Sequence, residues 1–199
     1  MIAYLMGRGI HREIIDYCIR TKRLYESRDY HNAVFIGFDR HGVPKYATLR
    51  GTFGKRFMGE VNGSDKHFSF SIPARNECSK LHLFESAIDL LSYGTLELLS
   101  GRDWRQDFCL SLAGIYMPKK IIEESTPPAA LMQYLKDFPQ IKEIALHLDN
   151  DTAGRLAAKA IQTILTPAYA VSDEPPERGK DYNGYLKITL KIRQPRERE

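Results

Sequence analysis

Cysteine is scarce in this chain: Cys18, Cys78 and Cys109 lie far apart, and none belongs to a C-x-x-C pair. An odd, scattered set excludes a disulfide framework and a cysteine zinc site, so reduced, buried thiols are expected. Six histidines, at 11, 31, 41, 67, 82 and 147, show no metal-ligand spacing. His147, in an apolar strand, reads as a satisfied core histidine. Long apolar runs are missing as well. None approaches the ~20 residues that span a bilayer, and no signal-peptide core opens the sequence, so a cytoplasmic protein without membrane contact is expected. There is no internal repeat and no low-complexity tract. Nor is there a large net charge: the chain carries +4 over 199 residues, and the excess of +6 within residues 1–75 is too small for tight, non-specific binding to duplex DNA.

The small net charge conceals an asymmetry. Residues 1–75 carry 13 Lys and Arg against 7 Asp and Glu, whereas residues 76–199 carry 16 against 18. A basic lobe beside an acidic one suits a polymer of phosphates, one surface tracking the backbone and the other holding cations; a solvated basic face is the plain alternative.

The apolar pattern divides the chain in the same place. Ile10, Ile14, Ile15, Cys18 and Ile19 form one stripe and predict an amphipathic helix over 10–23. Short β-type runs at 33–38 and 45–50 flank the turn 39–42, and a further pair at 57–62 and 67–72 brackets 63–66. This predicts an α+β N-terminal lobe with a small antiparallel sheet over 1–75, ending in a polar linker near 72–79. Over 80–190 strands and helices alternate, at 80–84, 86–99, 107–112, 128–137, 141–148, 152–165 and 168–172. The alternation predicts an α/β domain with a mostly parallel sheet covered on both faces. Residues 117–128 read as an irregular surface excursion, and 191–199 as a charged, frayed tail.

The chemistry concentrates where strands end. Residues 146–154 read LHLDNDTAG, an apolar run that stops at Asp149-Asn150-Asp151 and enters a helix. Two carboxylates at the carboxyl edge of a sheet suit Mg²⁺, which keeps much of its water and takes few protein oxygens. Turn and N-cap chemistry is the alternative use of such a triplet. Residues 81–93, LHLFESAIDLLSY, place Glu85 in the same position after another strand. If the strand order is 2-1-3, these two strands are neighbours at the switch point, and Glu85, Asp149 and Asp151 converge. Asp89 follows Glu85 by one helical turn, either to orient a metal-bound water or as a surface carboxylate.

The succession of Glu85 and Asp89, then Gly114, then Asp149-x-Asp151-x-x-Gly154, then Gly179-Lys180-Asp181 resembles the toprim domain of bacterial primases, topoisomerases, recombination mediators and some nucleases. The resemblance covers roughly residues 80–186. Residues 4–75 resemble the domain that precedes toprim in primase-like proteins of plasmids and conjugative elements, through Tyr4-Leu5, Arg8-Gly9-Ile10, 46–51 and 63–66. That domain has no settled function.

The toprim resemblance implies a Rossmann-like domain that binds Mg²⁺ or Mn²⁺ at Glu85, Asp149, Asp151 and Asp181. Glu85 and Asp89 are then the acid/base candidates. Arg50 and Lys66 are expected to face this site across a cleft. Lys180 is either a phosphate contact or an exposed loop lysine, and Arg8 either a DNA contact or a structural ion pair. Tyr46, Phe53, Phe57, Phe68 and Phe70 could stack bases, although strand alternation assigns Phe68 and Phe70 to the core. Single-stranded DNA and nucleotides are the expected ligands, with replication or conjugation proteins as further partners. The expected activity is metal-dependent nucleotidyl transfer on single-stranded DNA of a mobile element. A toprim nuclease, or a non-catalytic DNA-binding accessory, remains the alternative, because the same acids serve synthesis and hydrolysis. The resemblance also implies a further zinc-binding or helical module that residues 1–75 do not contain, hence little primer synthesis by this chain alone.

Overall fold

The structure, a computed structural model, describes residues 1–54, 57–112, 114 and 116–192. The tail expected over 191–199 therefore lies outside the described residues from 193 onward.

The chain opens with two helices, α1 (Ile2–Gly7) and α2 (Arg12–Arg20). The predicted stripe of α2 is buried at Ile14, Ile15 and Cys18, and the His11 ring caps its first turn by accepting from the Glu13 amide at 3.3 Å. A four-stranded antiparallel sheet follows, in the order β1 (Leu24–Glu26), β2 (Ala33–Phe38), β3 (Pro44–Arg50), β4 (Met58–Glu60). Burial in β2 alternates with period two, as one buried face requires. Asp39 closes the β2–β3 turn by accepting from the amides of His41 and Val43.

The second sheet holds β5 (Ser71–Ile72), β6 (Lys80–Phe84), β7 (Phe108–Ser111), β8 (Glu143–His147) and β9 (Ala170–Asp173), in the order β5-β7-β6-β8-β9. All its pairs are parallel except β5 with β7. The strand order 2-1-3 anticipated for the toprim domain is thus present, with β9 beyond β8. Helices α3 (Ala87–Leu99), α4 (Ala129–Asp137), α5 (Thr152–Leu165) and α6 (Tyr182–Thr189) accompany it. The excursion over 117–128 contains a short 3-10 turn at Ile122–Glu124.

One expectation is corrected. Residues 67–72 do not pair with 57–62; Ser71 and Ile72 instead form the antiparallel edge of the second sheet, opposite Leu110 and Cys109. The reason lies in burial on both faces: Ser69, Phe70, Ser71 and Ile72 are all buried, which suits a covered sheet and not a half-solvated hairpin. Gly37 makes the crossing possible, since a Cβ there would sit 1.7 Å from the Phe68 carbonyl oxygen.

Two apolar cores result among the described residues. One lies between the second sheet, α4 and α5, around Leu83, Leu131, Ile144 and Ile161. The other is continuous between the lobes, joining Leu5, Ile14 and Phe35 to Ile72, Phe84, Leu90 and Trp104. Among the described residues no helix is long and apolar enough to cross a membrane.

Candidate functional site

Three helices start around one point, and each start is fixed by a polar side chain. Ser86 caps α3, Asp151 caps α5 and Asp181 caps α6. The N-cap use of Asp151 is real: its Oδ1 accepts from the Gly154 amide at 2.9 Å. Its Oδ2 is left for other work, and takes the Lys180 ammonium at 2.9 Å, which also stands 3.4 Å from Asp149 Oδ2. The cap reading of the triplet is therefore seen at Asp151, whose second oxygen faces the Lys180 ammonium. Gly154 is required here, because a Cβ would meet the Asp149 carbonyl oxygen at 2.1 Å.

The acids share one electrostatic neighbourhood. Glu85, half-buried after β6, has its carboxyl pushed up to about 7 by burial and then by Asp149, Asp89 and Asp151. Asp89 is 7% exposed and is likewise raised to about 7, by burial first and Asp181 second. Asp149 is raised by burial and by Asp181, against the pull of Lys180. Asp151 falls, chiefly because the Gly154 amide favours its anion. The sheet thus brings together Glu85, Asp89, Asp149, Asp151, Asp181 and Lys180. The positive ends of the helix dipoles offset part of the repulsion. The loops are also tied directly, the Asn150 amide donating to the Lys180 carbonyl at 2.6 Å.

These oxygen donors fit a hard, largely hydrated divalent cation in chemistry. In geometry they do not form a closed cage: among the described residues no three His, Cys, Asp or Glu side chains are grouped closely enough to hold a metal ion. The positive charge between Asp149 and Asp151 is that of Lys180.

Two residues essential to this arrangement were not singled out from the sequence. Arg155 donates from Nη2 to the Leu148 carbonyl at 2.7 Å and from Nε to the Asp149 carbonyl at 3.2 Å, while Nη1 pairs with Asp173. It pins the backbone that presents Asp149. Asn183, 3% exposed, donates its amide to Asp89 Oδ1, donates Nδ2 to the Arg8 carbonyl and Ser92 Oγ, and accepts from Arg8 Nη1 at 2.6 Å. It joins the N-terminal lobe to the acidic site. The only available signal for it was its place two residues after Asp181.

Arg8 is accordingly not free, being held by Asn183 and the Tyr4 hydroxyl, and it makes no ion pair among the described residues. With Tyr4, Arg50, Gly51 and Phe53 it lines a cleft of about 230 Å³, and Phe53 is 76% exposed at its wall. Lys66 lies outside this cleft, 72% exposed and paired with Glu60 at 3.2 Å. Of the candidate stacking aromatics, Tyr46 and Phe70 are buried, and Tyr46 donates to Glu60. His147 is satisfied in the core by His82, the Tyr182 hydroxyl and the Glu174 carbonyl, and burial, followed by His82, holds it well below the usual histidine range.

A family model described as Toprim-like matches residues 82–186, and one described as a protein of unknown function (DUF3991) matches residues 3–76. Among solved structures the chain is similar to the primase fragment of the bacteriophage T7 primase-helicase protein, at 20% identity and a TM-score of 0.58, covering 94% of this chain and 68% of that one. It is similar to a DnaG primase catalytic domain bound to single-stranded DNA at 13% identity and a TM-score of 0.57, with coverage of 94% and 68%. The zinc-binding and RNA polymerase domains of the Aquifex aeolicus primase match at 16% identity and a TM-score of 0.57, covering 96% of this chain and 54% of that one. At these identities the likeness is one of fold. No curated protein matches.

Proposed function

The chain belongs to the Toprim-like family, and from that membership and the grouping of its acids we propose a primase-like protein that performs metal-dependent nucleotidyl transfer on single-stranded DNA. The observation that carries this reading is the meeting of Glu85, Asp89, Asp149, Asp151 and Asp181 at one sheet edge, with Glu85 and Asp89 both titrating near neutrality. A carboxyl poised there can accept or return a proton at working pH, as activation of a hydroxyl requires. Asp149, Asp151 and Asp181, with Glu85 at the rim, would hold Mg²⁺ or Mn²⁺ mainly through its waters. When bound, the ion neutralises charge developing on phosphoryl oxygens. Arg8 and Arg50 would track the DNA backbone across the cleft, with Phe53 offering a face to a base. Residues 1–75 then form the DNA-tracking lobe and 80–190 the catalytic domain of a cytoplasmic protein that works with replication or conjugation proteins of a mobile element.

The Lys180 bridge favours a second reading, a DNA-binding accessory whose acids are neutralised by a lysine and not by a metal. Lys180→Ala separates the two. If the site is catalytic, removing the competing ammonium raises Mn²⁺ affinity several-fold; if Lys180 is the resident counter-ion, the variant loses stability and gains no metal binding. Activity is tested by template-dependent synthesis with Mg²⁺ or Mn²⁺ and all nucleotides, beside fluorescence anisotropy on single-stranded and duplex oligonucleotides. The expected result is preferential single-strand binding with little primer made by this chain alone. Absent or equal binding to both DNAs would overturn the reading.

A further inference from the structure

Arg8 stands where the N-terminal lobe meets the second, and the groups that hold its guanidinium are neutral. Its Nε donates to the Tyr4 hydroxyl at 2.9 Å, its guanidinium carbon stands 5.3 Å from the centroid of the Tyr4 ring, and its Nη1 donates to Asn183 Oδ1 at 2.6 Å. Among the described residues Nη2 makes no hydrogen bond and no Asp or Glu pairs with Arg8. The cleft that Arg8 lines with Tyr4, Arg50 and Phe53 likewise has no carboxylate among its described lining residues. A partly buried guanidinium is ordinarily held by a carboxylate, so a hold made only of neutral groups calls for a reason.

Asn183 supplies most of that hold. Its Nδ2 donates to the Arg8 carbonyl at 3.0 Å while its Oδ1 takes the Arg8 side chain, so one amide grips both the backbone and the guanidinium of a single residue. The amide cannot turn over. Ser92 Oγ donates to the Ile88 carbonyl at 2.7 Å and so accepts from Asn183 Nδ2 at 2.9 Å, and a flipped amide would set N–H against N–H at Arg8. Both Asn183 and Ser92 are buried. Helix α6 brings Asn183 there, started by its Asp181 cap and packed so closely on Gly9 that an added Cβ would meet the Leu190 and Leu186 methyl groups at 3.0 and 3.3 Å.

An amide at this position does what a carboxylate would not. Aspartate has nearly the same shape and would also accept from Arg8 Nη1, but it would cancel the charge of Arg8 and set an acceptor against the Arg8 carbonyl. Asp89, the acid that Asn183 touches, takes the Asn183 backbone amide on Oδ1 at 3.1 Å and the Ser86 hydroxyl on Oδ2. The side chain of Asn183 therefore fixes Arg8 in place and leaves its positive charge to the cleft.

Resting on the reading of this cleft as the path of single-stranded DNA, we propose that Asn183 is a positioning residue for nucleic-acid binding, a neutral clamp that presents the unengaged N–H groups of Arg8 to a backbone phosphate. The phosphate supplies the counter-ion that the fold withholds. Arginine suits the role because its planar fork keeps those donors in a fixed direction once Nε and Nη1 are held.

The test is fluorescence anisotropy of the whole chain with a labelled single-stranded oligonucleotide, in EDTA and over a range of salt concentrations, for wild type, Arg8→Gln, Asn183→Asp and the double variant. Arg8→Gln should weaken binding severalfold and flatten the slope of log affinity against log salt by ~0.7, the share of one phosphate on a single strand. Asn183→Asp should reproduce both changes. The double variant should bind as Arg8→Gln does, within about twofold, because Asn183 acts through Arg8. A merely structural residue would leave the slope unchanged and add its effect to that of Arg8→Gln. Asn183→Ala removes the clamp without adding charge; it should weaken binding less than Asn183→Asp, and its effect should also vanish in the Arg8→Gln background, which keeps the test valid if Asn183→Asp does not fold by circular dichroism. Absence of single-strand binding by wild type, or wild-type affinity in Arg8→Gln, would overturn the reading of the cleft and the clamp with it. A normal Arg8→Gln effect beside an unaltered slope in folded Asn183→Asp, additive effects in the double variants, or failure of both Asn183 variants to fold would overturn the clamp alone.

Discussion

Asp89 concentrates the residue-scale physics of the site. It is buried, accepts from the Asn183 amide, and takes a hydrogen bond from Ser86 Oγ at 2.5 Å, yet its carboxyl is pushed up to about 7 by burial and by Asp181. A group raised in the folded state stabilises the fold below its unfolded pKa, near 4, and that contribution is lost as pH rises through about 7. Asparagine keeps the shape and cannot ionise. Metal-free Asp89→Asn should therefore gain stability relative to wild type steadily between pH 4 and 7 and show a constant difference above. Urea unfolding in EDTA across that range measures it, and a difference independent of pH would contradict the assignment. Glu85, Asp149 and Asp151 were legible in the sequence because each stands where an apolar run stops. Asn183 and Arg155 were not, because their partners are backbone groups and residues brought near only by the fold.

At the scale of elements, period and length decided what could be read. The helices at 87–99 and 152–165 and the central strands carry enough apolar repeats to declare themselves. Helix α1, six residues long, and strand β1, three residues long, are too short to show a period. Helix α6 contains Asn183 and Gly184 and is held by its Asp181 cap and by burial of Tyr182 and Leu186, none of which propensity reveals. Helix α5 illustrates how an element positions chemistry: its first turn lies so close to the Asp149 carbonyl that only glycine fits at 154. Gly154→Ala should cost about 1–3 kcal/mol, an overpacking effect that exceeds alanine's small gain in helix propensity. It should also weaken Mn²⁺ binding, since the displaced backbone carries Asp149. Thermal unfolding and metal titration of that variant check both outcomes, and an unchanged melting temperature would refute the close packing.

For the molecule as a whole, charge asymmetry and the change from antiparallel to alternating pattern marked two lobes, but pattern alone did not show how they join. The β5 strand crosses into the second sheet, and a single core runs from Leu5 and Ile14 to Leu90 and Trp104. Tyr17 and Trp104 meet edge to face across that boundary, with ring centroids 5.2 Å apart. The lobes should therefore unfold together, in one transition seen alike by tryptophan fluorescence and circular dichroism, and residues 80–190 expressed alone should not fold stably. Two separated transitions would contradict the shared core. The shared core also fixes the Arg8–Asn183–Asp89 connection, and with it the cleft relative to the acids. The account's central claim is that these acids form a cation site, and the most direct measurement is Mn²⁺ binding by electron paramagnetic resonance. Wild type should bind Mn²⁺ saturably, and Asp149→Asn/Asp151→Asn, confirmed folded by circular dichroism, should lose that binding; no saturable binding, or equal binding in the double variant, would contradict it.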